Sequence, residues 1–371
     1  MRARSWGVYV AASIALCALA ALAWRWMEAR AARIDPGFAQ NFVELNRRID
    51  DRATAVAYDP QLKILAVGRD SGRLELWDAR RTDSRLALDA HTVRIEHIAF
   101  GAGDGIVLTS SAGSTMMGLD PNGMPKVWNA RSGELLLALP GEWHGGPLAA
   151  SPVPGFYLIA SYDELRIYDH ARRAVAGTAL RVQGGITALD ADEASGLVAV
   201  GTSSGQLLLL KLDVAAAAPR LDIVGRTSTH GLESRTDVLA ALLLDEGRRL
   251  VTVNWLPEAK RQDHPPKITG EQTEIVQWDT RDLRRERTFP LTLQTVHWAS
   301  YTAGEPWLVL AGNESTRGRI ELIDLRRGEA WRYKANTTHP VAVLLPEIRA
   351  GLILQSGGAT QIRYLDQDPS L

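Results

Sequence analysis

From residue 53 onward, short apolar runs alternate with clusters of Gly, Asp, Ser and Pro. Residues 53–78 read ATAVAYDPQLKILAVGRDSGRLELWD. An alternating segment through Ala55 and Ala57 leads to a turn at Asp59-Pro60. The unbroken apolar run ILAVG follows, then the polar turn RDSG and a third segment, RLELWD. Alternation marks a strand with one buried face, a short unbroken run marks a strand buried on both, and the Gly/Asp/Ser clusters mark the turns. The same order returns along the chain, closing each time on an aromatic or aliphatic residue followed by Asp or Asn. These end-points fall at 78, 129, 169, 213, 279, 324 and 366, spaced by 51, 40, 44, 66, 45 and 42 residues. With two insertions set aside, the period is about 40–45 residues, which is that of a four-stranded unit repeated around a ring.

The residues themselves carry a family resemblance. The segment Gly68-Arg-Asp70-Ser-Gly72-Arg-Leu-Glu-Leu-Trp77-Asp78 resembles a WD-repeat blade, and Trp278-Asp279 repeats its signature. Ala90-His91, ahead of VRIEHIAF, resembles the Gly-His that opens such blades. The resemblance covers roughly residues 40–366 and implies an all-β, seven-bladed β-propeller, a rigid disc whose loops bind protein partners. It is degenerate. That family's hydrogen-bonded tetrad of turn Asp, loop His, Ser/Thr and Trp is not legible complete in any blade, and another propeller lineage, such as the quinoprotein-like group, stays open.

An open ring would expose strand edges, so propellers share one blade between the chain ends. The chain runs only five residues past Asp366, which leaves the last blade without an outer strand. QNFVELN (40–46) is expected to supply it. The competing reading is a helix, since Phe38, Phe42, Leu45 and Ile49 recur at helical spacing after Asp35-Pro36.

Ahead of the propeller, Trp6–Trp24 is nineteen residues without a charge. As a helix it would span about 28 Å, close to the hydrocarbon thickness of a bilayer. Aromatic residues stand near both ends, as interfacial side chains do, and arginines flank both sides. The domain plan is therefore a tail (1–5), a transmembrane helix (6–24), a linker (25–39) and the propeller (40–371). A cleaved signal peptide is the rival, with Ala-Leu-Ala at 21–23 as a small-residue site. The expected location is a bacterial inner membrane, single-pass, with the propeller in the periplasm.

Composition narrows the function classes. Basic and acidic side chains number 42 and 43, so the bulk positive charge of many nucleic-acid binders is absent. Arg outnumbers Lys 36 to 6. With a single cysteine, Cys17, no intramolecular disulfide or cysteine-rich zinc site can form.

The eight histidines are scattered and none makes a metal-ligand pair at helix or strand spacing. His91, His144, His230 and His339 stand just before first strands, where a hydrogen-bonding role within the fold is expected. Gly101-Ala-Gly103-Asp-Gly105 reads as a hairpin turn, with no helix after it to hold a phosphate. No cofactor or metal is expected, and Walker and Gly-x-Ser-x-Gly motifs are absent.

Two insertions depart from the repeat. In blade two, 111–126 carries Met116, Met117 and Met124, flexible side chains suited to an adaptable contact. In blade five, 255–272 carries Trp255, Lys260, Arg261, His264 and Lys267 around Pro265-Pro266. Trp143 and His144, in the loop leading to blade three, share the face on which both insertions open. These ten residues are the candidate partner-binding set of a membrane-anchored, non-catalytic scaffold. The alternatives are a propeller enzyme with a site in the central channel and a secreted soluble binding protein.

Overall fold

The computed structural model describes residues 42–48 and most of 53–365. Outside the described residues are 1–41, 49–52, 81–82, 102–103, 112–113, 116–117, 120–123, 140–144, 216–217, 230–236, 256–272, 303–304, 315–316, 336–339, 346–349, 355–358 and 366–371. The 6–24 segment and the linker fall there. Among the described residues no helix is long and apolar enough to cross a membrane.

The chain is an all-β propeller. Six blades are each cut from one stretch of chain as a four-stranded antiparallel meander, with the strands in sequence order from the axis outward. Blade one is Ala53–Asp59, Ile64–Arg69, Arg73–Asp78 and Asp83–Asp89. Blades two to six begin at Ile95, Leu148, Ile186, Asp237 and Thr295 and end at Ala138, Arg181, Ser228, Phe289 and Lys334. A further four-stranded sheet is composite. Its strands Val341–Leu345, Ala350–Leu354 and Ala359–Leu365 are completed at the outer edge by Phe42–Arg48. The expected strand over 40–46 is thus a strand over Phe42–Arg48. It pairs antiparallel with Ala359–Leu365, with Phe42 opposite Leu365 and Arg48 opposite Ala359. The helical spacing loses because an unpaired third strand offers a ladder of hydrogen bonds.

The first strands adjoin in cyclic order through blades one to six, then the composite sheet, and back to blade one. Apolar packing follows that ring. Leu65, Val67 and Trp77 of blade one pack on Val341 and Val343 of the composite sheet. On its other side, Leu74 and Leu76 pack on Ile95, Val107 and Trp128 of blade two. Every other gap between neighbouring sheets holds a comparable cluster. A sheet covered on both faces needs no polar face, which is why Ile64–Arg69 and Ile106–Ser111 are buried at every position.

Turn chemistry closes the repeats. In the six blades cut from one stretch of chain, the Asp or Asn ending the third strand accepts a backbone N–H two or three residues on, forming an Asx turn. The pairs are Arg80 N to Asp78 at 2.9 Å, Arg131 N to Asn129 at 2.9 Å and Arg172 N to Asp169 at 3.1 Å. Ala215 N to Asp213, Arg281 N to Asp279 and Arg326 N to Asp324 continue the series at 3.0, 3.0 and 2.8 Å. In blade one the RDSG turn needs its glycine. Gly72 has φ +85°, and a Cβ there would stand 2.2 Å from the His91 carbonyl oxygen.

Candidate functional site

Antiparallel alternation divides the loops between two faces. Turns joining first to second and third to outer strands open on one face. Loops joining second to third strands, and one blade to the next, open on the other. Both insertions belong to the second group. Within the insertion of blade two, Ser114–Thr115 pairs with Gly118–Leu119 as a small hairpin, and Met124 is half-buried where the chain rejoins the blade. Trp255 ends the second strand of blade five, half-buried, opposite Asp237 and Thr273. Met116, Met117, Trp143, His144, Lys260, Arg261, His264 and Lys267 lie outside the described residues. The topology thus puts the flanks of both insertions on one face, three blades apart.

The signature residues are wired into the blades. Thr109 Oγ1 accepts the Trp128 indole N–H at 2.9 Å and lies 2.8 Å from His91 Nε2, all three buried. The three side chains form one buried hydrogen-bonded group. In blade five Thr252 Oγ1 accepts from Trp278 Nε1, also at 2.9 Å. Blade one departs from this. Val67 stands opposite Glu75 where blades two and five carry Thr109 and Thr252, and Trp77 Nε1 donates instead to Glu75 at 3.0 Å. Glu75 in turn pairs with the buried Arg69 at 2.6 Å. The expected hairpin at 101–105 joins two strands of blade two, and Asp104 Oδ2 accepts from the Tyr157 hydroxyl at 2.6 Å. Burial, then that carboxylate, drives the Tyr157 phenol far above its ordinary pKa.

The first strands enclose a central cavity of about 760 Å³. Five of them carry a β-bulge near their start, which frees Thr54, Glu96, Thr187, Leu239 and His297 from strand pairing. Three of these bond sideways to the next first strand. Thr54 Oγ1 donates to the Ile95 carbonyl at 2.6 Å and Thr187 Oγ1 to Val238 at 2.7 Å. His297 Nε2 lies 2.9 Å from the Pro340 carbonyl. Trp298 and Ser300 both donate to the carbonyl of Ala342, and Thr302 donates to that of Leu344. Asp190 Oδ2 accepts the Leu243 N–H at 2.7 Å, tying blade four to blade five. Burial pushes its carboxyl up to about 6, against the backbone donors that favour the charged form. His97 is lowered by burial, opposed by the adjacent Glu96. Among the described residues no group of three or more His, Cys, Asp and Glu side chains is gathered to hold a metal ion.

Sequence reasoning missed the bulges, the Thr109 and Thr252 acceptors, and Asp190. The one available signal was a polar residue early in an otherwise apolar first strand, as in ITALD at 186–190. Compared with known proteins, the chain matches no protein-family profile and no curated protein.

Proposed function

We propose that the protein is a membrane-anchored, non-catalytic scaffold of the WD-repeat kind. It works as a closed seven-bladed disc that holds protein partners on the face where the two insertions open. The observation that carries this reading is the placement of both insertions on one face of a rigid ring. His91, Thr109 and Trp128 support the WD-repeat part, since three members of that tetrad meet in blade two. The uncharged 6–24 run, flanked by arginines on both sides, supports the anchor.

A channel enzyme is the second reading, favoured by the raised carboxyl of Asp190 in the cavity. The scaffold is preferred because Asp190 binds Leu243 and its polar neighbours bridge adjoining strands.

The test is crosslinking in intact membranes, comparing the full chain with a variant in which 258–270 is replaced by a Gly-Ser turn. The expected result is loss of the principal crosslinked product with an unchanged melting temperature. Trp255→Ala belongs beside it. A half-buried strand end is expected to cost about 1–2 kcal/mol, less than a fully buried Trp. A large stability loss for Trp255→Ala, together with normal crosslinking by the loop variant, would refute the loop-face assignment.

A further inference from the structure

The turns after the third strands all use the same Asx geometry, yet they share a second feature that the geometry does not require. Five of the six described turns place an arginine where the backbone N–H meets the Asx side chain: Arg80, Arg131, Arg172, Arg281 and Arg326. Blade four makes the same turn with Ala215, at the same donor–acceptor distance as blade five. The arginine side chain is therefore not needed to form the turn. All five are exposed, as are the following Arg173 and Arg327. Asp279 holds Arg281 and Asp169 lies near Arg172. Arg80, Arg131, Arg173 and Arg326 make no ion pair among the described residues.

The closing strand says what this rim faces. Phe42 lies opposite Leu365, the end of a third strand, so the chain before Phe42 comes in on the face of these turns. It comes in at the outer edge of the composite sheet, flanked around the ring by blade one with Arg80 and blade six with Arg326 and Arg327. Blades three and four are the two sheets farthest from that point; blade four has alanine in place of arginine, and Asp169 of blade three pairs with its own Arg172. The seventeen residues 25–41 separate the uncharged 6–24 run from the first strand, a reach of at most ~60 Å. Nearer the axis on the same face, the turns between first and second strands carry Asp192, Glu193, Asp245 and Glu246. A disc lying flat would press these acids on a bilayer, whereas a disc tilted about the composite sheet presents the arginine rim alone.

We infer that this arginine rim docks on anionic phospholipid headgroups, holding the disc tilted on its own membrane with the insertion-bearing face turned away. The inference rests on the anchored reading above. Guanidinium groups suit phosphate oxygens, and juxtamembrane basic clusters gain affinity from anionic lipid within a Debye length.

The test uses the full chain in nanodiscs of phosphatidylcholine with or without phosphatidylglycerol, read by amide hydrogen exchange. Turns at 78–80, 129–131 and 324–327 should exchange several-fold more slowly in the anionic discs, with 169–173 and 213–215, on the two farthest sheets, as internal references. Arg80→Ala, Arg131→Ala and Arg326→Ala combined should remove the slowing, as should high salt, without changing the melting temperature. Equal exchange in the two lipids, or slowing that survives the threefold substitution, would overturn the rim assignment. A chain that does not stay in discs would overturn the anchor instead. Flotation with phosphatidylglycerol vesicles then reads the rim separately: arginine-dependent flotation supports it and absence of flotation refutes it.

Discussion

Thr109 is held from two sides, by the indole of Trp128 and the imidazole of His91, and all three are removed from solvent. A buried polar group left without a partner costs more than the bond it made, so the three act as one unit. Thr109→Val keeps the shape and orphans the indole N–H. It is expected to lower stability by about 2–3 kcal/mol in denaturant unfolding. Thr252→Val, which takes the acceptor from both the Trp278 indole and the Asn254 amide, is expected to cost about 2–3 kcal/mol. Blade one shows why valine is not itself forbidden. With Val67 at that position, Glu75 takes the indole N–H of Trp77 and Arg69 neutralises Glu75. Trp77, Trp128 and Trp278 look alike in sequence, but Trp128 and Trp278 find their acceptors on the neighbouring second strand, whereas Trp77 finds Glu75 on its own. The Trp-Asp signature was therefore readable from the chain while its hydrogen-bond partner was not.

Among the elements, the strand most exposed to competition is Phe42–Arg48. Its sequence supports helical spacing as well as strand alternation, and its partner lies more than 300 residues away in the chain. The decision belongs to Ala359–Leu365, whose backbone groups would otherwise form an open edge. Deleting residues 1–50 should expose that edge, lower the melting temperature and promote aggregation in light scattering. Deleting 1–34 should leave the folded disc unchanged. Equal melting of the two truncations would show that the strand contributes nothing to closure. The third-strand turns are the opposite case, because Asp-x-Arg and Asn-x-Arg are local signals that the structure realises as Asx turns.

For the molecule as a whole, the ring is stitched around its axis by polar groups that reach from one first strand to the next. Asp190 is the acidic member of that set, with a carboxyl pushed up to about 6 by burial and an acceptor oxygen on Leu243 N–H. An unfolded aspartic acid titrates near 3.9. Between about pH 4 and pH 6 the folded state therefore holds a proton that the unfolded state has released. Stability should fall as pH rises through that window and stay level above it. The full effect is up to about 3 kcal/mol. Asp190→Asn keeps an oxygen acceptor for Leu243 and should flatten the slope, as followed by unfolding at stepped pH. A slope unchanged in Asp190→Asn would assign the titration to another group.

The repeat length, the strand segments, the turn residues and the need for a closing strand were all legible in the chain. Each depends on residues a few positions apart, where side-chain alternation and Asx chemistry act locally. The ring's internal wiring was not. Thr109 and Trp128 are 19 residues apart, Thr187 and Val238 are 51 apart, and Asp190 and Leu243 are 53 apart. No local pattern marks such pairs, because each partner sits on another strand that comes near only when strands pair and sheets pack, as does the bulge that turns Thr187 toward Val238. The tertiary structure also decided the polarity of the disc. Arginines spread through five turns became one rim only once antiparallel pairing put those turns, and the incoming chain, on the same face.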